Sequence, residues 1–199
     1  MKRLVIIGAG GHGKVCADAA RLCGYDDVLF LDDGKGAGLP VSGTVSDFPE
    51  YSGSDFFVAV GNGTARESIM RRLSDHGEKV ITLVHPKSVV AKSAVIGAGT
   101  FVAAGAVINP DAVIGAGVII NTCASADHDC RVGDFSHVSV GAHLAGTVIL
   151  GENTFIGAGA TVVNNITVCG STVVGAGALV LHDINEAGTY VGVPCRRIK

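Results

Sequence analysis

From residue 90 to residue 180 an aliphatic side chain recurs at every sixth position. Val90, Ile96, Val102, Ile108, Ile114 and Ile120 open the series, Val132 resumes it, and Val162, Val168, Val174 and Val180 close it; the one lapse is Ala126. Four residues after each of these sits a mostly small side chain, as at Ala106, Ala112, Ala124, Cys130, Ser136 and Ala142. A helix repeats every 3.6 residues and a strand every two, so neither generates a period of six. A short strand followed by a tight turn does, if the chain coils so that every sixth residue enters one core, and that is the hexapeptide signature of a β-solenoid. Three hexapeptides to a turn make residues eighteen apart vertical neighbours, about 4.8 Å up the ladder.

Residues 1–84 follow a different grammar. Leu4-Val5-Ile6-Ile7 is an apolar run that fits a buried parallel strand. Further strands are expected at 28–31, 56–60 and 79–84, with helices over 14–23 and about 64–74. Strands alternating with helices predict a small parallel α/β unit of Rossmann-like type over 1–84, joined through His85-Pro86 to a parallel β-helix over 85–199. Gly8-x-Gly10-x-x-Gly13 sits between the first strand and the first helix, and Asp32 and Asp33 end the next strand. This is the nucleotide-binding fingerprint in its proper context: glycines let backbone approach a phosphate, and helix N-terminal amides stabilise its charge. The unit is short for a six-strand dinucleotide fold and no second mononucleotide half follows, so a nucleotide or nucleotide-sugar is expected rather than NAD. The plainer alternative is glycines that serve only a tight turn. His12, within the loop, is a natural partner for a phosphate oxygen.

Composition narrows the field. Of 199 residues 48% are hydrophobic, yet only 5% are aromatic and Trp is absent, which suits a narrow solenoid core. Gly, at 29 residues, does not recur every third position, so collagen is excluded. A net charge of −3 and no basic run beyond Arg196-Arg197 argue against a nucleic-acid surface. Cysteines 16, 23, 123, 130, 169 and 195 show no Cys-x-x-Cys and read as reduced apolar residues, neither a disulfide framework nor a zinc site. With no signal-peptide pattern and no apolar run near 20 residues, no membrane insertion is expected, and a cytoplasmic location is expected.

The lapse at Ala126 falls in Ala126-Asp127-His128-Asp129-Cys130, an acid–His–acid cluster. A surface turn rich in Asp is the bland alternative. His128 is off the inward column, and Asp129 is placed to fix its tautomer and raise its basicity. Gly146, eighteen residues on, stacks above His128, so a glycine amide could meet an oxyanion while the imidazole handles a proton. Ala158 and Ala176 stack in another column as a smooth strip for a long, thin ligand. His128, His137 and His143 are spaced so that they do not converge within one subunit, so no metal site is expected. His76 and His182 lack a supporting pattern and are expected in solvent.

Gly11-His12-Gly13-Lys14-Val15-Cys16, Phe30-Leu31-Asp32-Asp33, the segment from Asp55 to Asn62 and the segment from Phe135 to Ala142 together resemble bacterial UDP-4-amino-sugar N-acetyltransferases of the bacillosamine pathway. These belong to the sialic-acid O-acetyltransferase group of left-handed β-helix acyltransferases, and the resemblance runs to Gly192-Val193-Pro194. It implies a left-handed solenoid, a homotrimer, acetyl-CoA as cosubstrate in the groove between adjacent solenoids, and no permanently bound cofactor. It implies that Gly10, Gly11, His12, Asp32, Asp33, Gly61 and Thr64 hold the UDP-sugar. It also implies that His128 is the general base with Asp129 as its acid, and that His137, Gly146, Ala158 and Ala176 line the acetyl-CoA site. Asp127 and Asp129 stand where close relatives tend to carry Glu. The expected reaction is acetyl transfer to the 4-amino group of a UDP-4-amino-4,6-dideoxy-sugar. The rivals are O-acetylation of a sialic acid or other sugar hydroxyl, and a non-catalytic nucleotide-sugar-binding scaffold.

Overall fold

A computed structural model describes residues 2–34 and 36–199. The N-terminal unit runs β1 (Arg3–Ile7), α1 (Gly11–Leu22), β2 (Asp27–Leu31), a 3-10 segment (Val45–Tyr51), β3 (Asp55–Val58), α2 (Gly63–Asp75) and β4 (Lys79–Val80). The sheet is parallel, in the order β2-β1-β3-β4. Strand alternation divides β1 between two cores. Leu4 and Ile6 join Cys16, Ala20 and Phe57 on the α1 side, whereas Val5 and Ile7 join Phe56, Met70 and Leu73 on the α2 side.

From Leu83 onward the chain forms two-residue strands stacked into three parallel sheets, the sides of a triangular prism. The docking face carries rungs from Leu83–Val84 (β5) and Phe101–Val102 up to Val173–Val174. The second face runs from Val89–Val90 to Leu179–Val180, and the third from Val95–Ile96 to Thr167–Val168. Register steps by eighteen, as in Val113↔Val95 and Val113↔Arg131. The six-residue column fills the core, and Ala126 keeps its inward place between Ile108 and Leu144. Among the small residues, the hydroxyls of Thr100 and Ser136 do more than fill space: they donate to Gly115 O (2.8 Å) and Gly151 O (3.0 Å) across the corner. At the C-terminal end Thr189–Val191 pairs with the last docking-face rung and with Arg196–Arg197, closing the exposed edge.

The first helix starts at Gly11 rather than 14 and the third strand ends at Val58 rather than 60; two further elements differ in kind from the sequence expectation. The single strand over 79–84 is two: Ile81 N still bonds Phe56 O (2.9 Å), while Leu83 N already bonds Thr100 O (2.9 Å), so the chain changes sheets between them. The 3-10 segment is an element the hydrophobic pattern does not predict, although Thr44 and Asp47 form a capping box at its start.

The N-terminal unit lies on the docking face. Leu83, Phe101 and Ile119, successive outward residues of that face, are buried in the α1-side core. Higher up the same column Phe155 is 37% exposed and Val173 is 39% exposed, so the cover ends near His137. No helix among the described residues is long and apolar enough to cross a membrane.

Candidate active site

The four glycines of the first turn divide by role. Gly8 has φ +109°, and a Cβ there would meet Ala59 O at 2.7 Å; a Cβ on Gly13 would collide with Gly8 O. These two serve packing. A Cβ on Gly10 or Gly11 would meet nothing within 4 Å, so both face open space at the N-terminus of α1. Gly10 is the N-cap and supplies no side-chain acceptor, leaving the first-turn amides available to an anion. Asp32 braces this turn from β2, its carboxylate accepting from Ala9 N (2.6 Å) and Gly34 N (2.7 Å), and Asp33 accepts from Val45 N (2.9 Å). Gly61, beyond β3, accepts from Arg66 Nη1 at 3.0 Å. Thr64 lies apart, on an outer stripe of α2 with Glu67, Ser68 and Arg71.

His12 turns its ring toward the solenoid, edge-on to Phe101 at 5.3 Å, with Nε2 3.5 Å from Cys16 Sγ. Burial, assisted by the charge of Arg66, lowers its pKa to about 4. It is therefore a neutral hydrogen-bonding group near pH 7.

His128 occupies the corner between the second and third faces, after Ser125–Ala126 and before Arg131–Val132. Asp129, with φ +59°, curls back so that Oδ2 lies 2.8 Å from His128 Nδ1. The shorter carboxylate thus reaches the imidazole. Asp127 Oδ1 accepts from the His128 amide (2.7 Å) and from Asn109 Nδ2 (2.8 Å) one coil below, which anchors the turn. The hydrogen bond to Asp129, with the charges of both carboxylates, raises the His128 pKa above its ordinary value. With Nδ1 engaged, Nε2 is the free atom, and it points at Gly146: a Cβ there would sit 2.5 Å from it. Thr147 N donates to His128 O (2.9 Å), fixing the two coils in register, while the Gly146 amide has no acceptor among the described residues.

The other expected groups lie elsewhere on the prism. His137 is on the docking face, accepting from Asn121 Nδ2 (3.0 Å) and edge-on to Phe155 at 5.2 Å. Burial, with His12 and Arg66 nearby, lowers its pKa to about 4. Ala158 and Ala176 stack at the corner between the docking and second faces, where Gly177 N bonds Ala158 O (2.8 Å). His143 is on the second face beside Ser125 Oγ (2.9 Å). His76 is not simply solvated, since it bonds the buried Glu78 carboxylate at 2.9 Å. Arg66, which no sequence motif marks, is 1% exposed at the junction of the two units. An arginine inside an ordinary amphipathic helix carries no signal that would single it out.

Residues 3–73 match the family model described as the PglD N-terminal domain. The chain is 39% identical over 116 residues to UDP-N-acetylbacillosamine N-acetyltransferase of Bacillus subtilis (strain 168), covering 52% of each. That match spans about half the length of the curated relative. Among solved structures, the acetyltransferase domain of PglB from Neisseria gonorrhoeae in complex with acetyl coenzyme A superposes with a TM-score of 0.95 at 41% identity over 99% of both chains. A histidine-to-alanine mutant of GDP-perosamine N-acetyl transferase from Caulobacter crescentus, in complex with CoA and GDP-perosamine, superposes with a TM-score of 0.93 at 37% identity, over 100% of this chain and 98% of that one.

Proposed function

Since the chain belongs to the family of bacillosamine-type nucleotide-amino-sugar N-acetyltransferases, we propose that it acetylates the 4-amino group of a UDP-4-amino-4,6-dideoxy-sugar with acetyl-CoA. The observation that carries this is the stacking of Gly146 on His128 Nε2 across one coil. The neutral amine attacks the thioester carbonyl, and Nε2 accepts its proton as the C–N bond forms. Asp129 keeps Nδ1 protonated and stabilises the imidazolium. The Gly146 amide faces the developing oxyanion, a donor of a kind worth about 3 kcal/mol of barrier. Collapse breaks the C–S bond, and the imidazolium returns its proton to the leaving CoA thiolate.

The nucleotide would rest on Gly10, Gly11 and the first-turn amides of α1, between walls braced by Asp32, Asp33 and Gly61. The turn lies against the docking face, with His12 edge-on to Phe101, whereas His128 is on the one corner that does not border that face. A single chain therefore holds base and pocket on different sides of its prism. We assign the complete site to neighbouring copies in a homotrimer, one offering the nucleotide pocket and the next its His128 corner. Acetyl-CoA would lie in the groove between them, along His137, Ala158 and Ala176. We place the reaction in the cytoplasm.

The test is acetyl transfer from acetyl-CoA across a panel of UDP- and GDP-linked 4-amino sugars. His128→Ala is expected to lower kcat roughly 10²–10⁴-fold while nucleotide-sugar affinity stays within a factor of two or so. A wild-type-like kcat in that variant overturns the assignment.

A further inference from the structure

Arg66 sits on the second turn of α2 with its guanidinium wholly inside the junction. Nε donates to Gly117 O (2.6 Å), Nη1 to Val60 O (2.6 Å) and Gly61 O (3.0 Å), and Nη2 to Phe135 O (2.6 Å) and Ser136 O (3.4 Å). Two of these carbonyls belong to the loop after β3 and three to successive coils at one solenoid corner. Gly117 and Phe135 are eighteen residues apart and both left-handed, at φ +59° and +57°. The ladder thus presents two carbonyls in register to one planar fork, a match that a lysine cannot reproduce. Among the described residues no carboxylate pairs with this cation. Burying a charge with only carbonyl dipoles for partners is costly, and an apolar side chain would dock the two units with less penalty. The net positive charge is therefore the feature that needs a use.

Gly8 packs against Ala59 at the end of β3, which sets the glycine turn beside the Val60–Gly61 carbonyls that Arg66 holds. We propose that Arg66 is a positioning residue that fixes the nucleotide loops on the solenoid and supplies an unneutralised positive charge behind the turn for the diphosphate of the nucleotide. The inference rests on reading Gly10–His12 as a nucleotide site. Its field acts through protein interior, where screening by water is weak, and adds to that of the α1 N-terminus. The same charge helps to hold both His12 and His137 neutral, with pKa values of about 4. Among the described residues Arg66 is thus a buried cation behind the turn.

The experiment titrates uridine, UMP and UDP, with the guanosine series beside them, into full-length wild type, Arg66→Lys and Arg66→Met. A charge role makes the loss grow with the number of phosphates. Arg66→Met is expected to weaken UDP roughly tenfold, UMP less and uridine within about twofold, and the loss shrinks as salt is raised. Arg66→Lys is expected to recover most of the preference for UDP. Where Arg66→Met does not fold, Arg66→Gln, neutral but able to donate to the same carbonyls, carries the comparison. Equal losses for all three ligands, or an unchanged preference for UDP over uridine, overturn the inference alone. Wild-type protein that binds none of these nucleotides overturns the nucleotide reading and the inference with it.

Discussion

A methyl group at position 146 probes the base more finely than removing the imidazole does. The Gly146 backbone lies outside the left-handed region, so alanine fits the chain there, yet its Cβ would stand 2.5 Å from His128 Nε2 and 2.7 Å from Cε1. The exposed imidazole must swing away, and it can do so at little cost to the fold. Gly146→Ala is therefore expected to cut kcat at least roughly 10²-fold with thermal stability nearly unchanged; a normal kcat would show that the stacking is incidental. The pH dependence follows from Asp129. Because the carboxylate favours the imidazolium, the His128 pKa lies above 6.5, and the acidic limb of kcat/KM should fall on that side, with activity rising as the ring loses its proton. Asp129→Asn removes the raising interaction, so the limb is expected to move to lower pH while the plateau drops from loss of tautomer control. A limb that stays in place would mean that another group titrates.

At the scale of the elements, the glycine turn separates fold from function. Gly13→Ala drives a Cβ into Gly8 O and is expected to destabilise the N-terminal unit, whereas Gly10→Ala meets nothing and should leave the melting temperature alone. If Gly10 faces a phosphate, its alanine variant should nonetheless lose nucleotide-sugar affinity, measured by calorimetry on the folded protein. Unchanged affinity would return the turn to a packing role. Much of this is legible in the chain, because a six-residue period admits one architecture and carries its own coordinates. The eighteen-residue register by itself sets Gly146 over His128 and Ala176 over Ala158, and the folded chain keeps both pairs. What depends on contacts between the two periodic systems is not legible. Arg66 looks like any helical arginine, and its carbonyl cage exists only once α2 meets two successive coils at one solenoid corner. The change of sheet between Ile81 and Leu83 is hidden for a related reason: Lys79 to Val84 is one continuous β-prone run, and only the competing acceptors, Phe56 O and Thr100 O, divide it.

For the whole molecule, the junction and the prism each set a measurable constraint. His12 and His137 are held neutral at the junction, with pKa values lowered from 6.5 to about 4. Below pH 6.5 the unfolded chain takes up protons that the folded junction refuses, so stability is full above that pH and is lost as pH falls toward 4, by up to about 3 kcal/mol per histidine. Urea midpoints between pH 7 and pH 4.5 should trace this fall, and His137→Gln should reduce its slope; a flat profile in the wild type would exclude it. The prism constrains catalysis more sharply. On the proposed reading the nucleotide lies on the docking-face side, while His128 stands on the corner between the other two faces, so pocket and base would come together between copies. Two inactive variants should then rescue each other: His128→Ala, which keeps the pocket, and Gly10→Asp, which keeps the base and sets a carboxylate against the phosphates. Mixed by refolding or co-expression in equal amounts, they should form trimers in which about a quarter of the sites draw a sound pocket from one copy and a sound imidazole from the next. Activity near that fraction of wild type, with neither variant active alone, is the expected result. Absence of rescue in a mixture shown to contain hybrid trimers would mean that each chain works with its own histidine and would overturn the shared-site assignment.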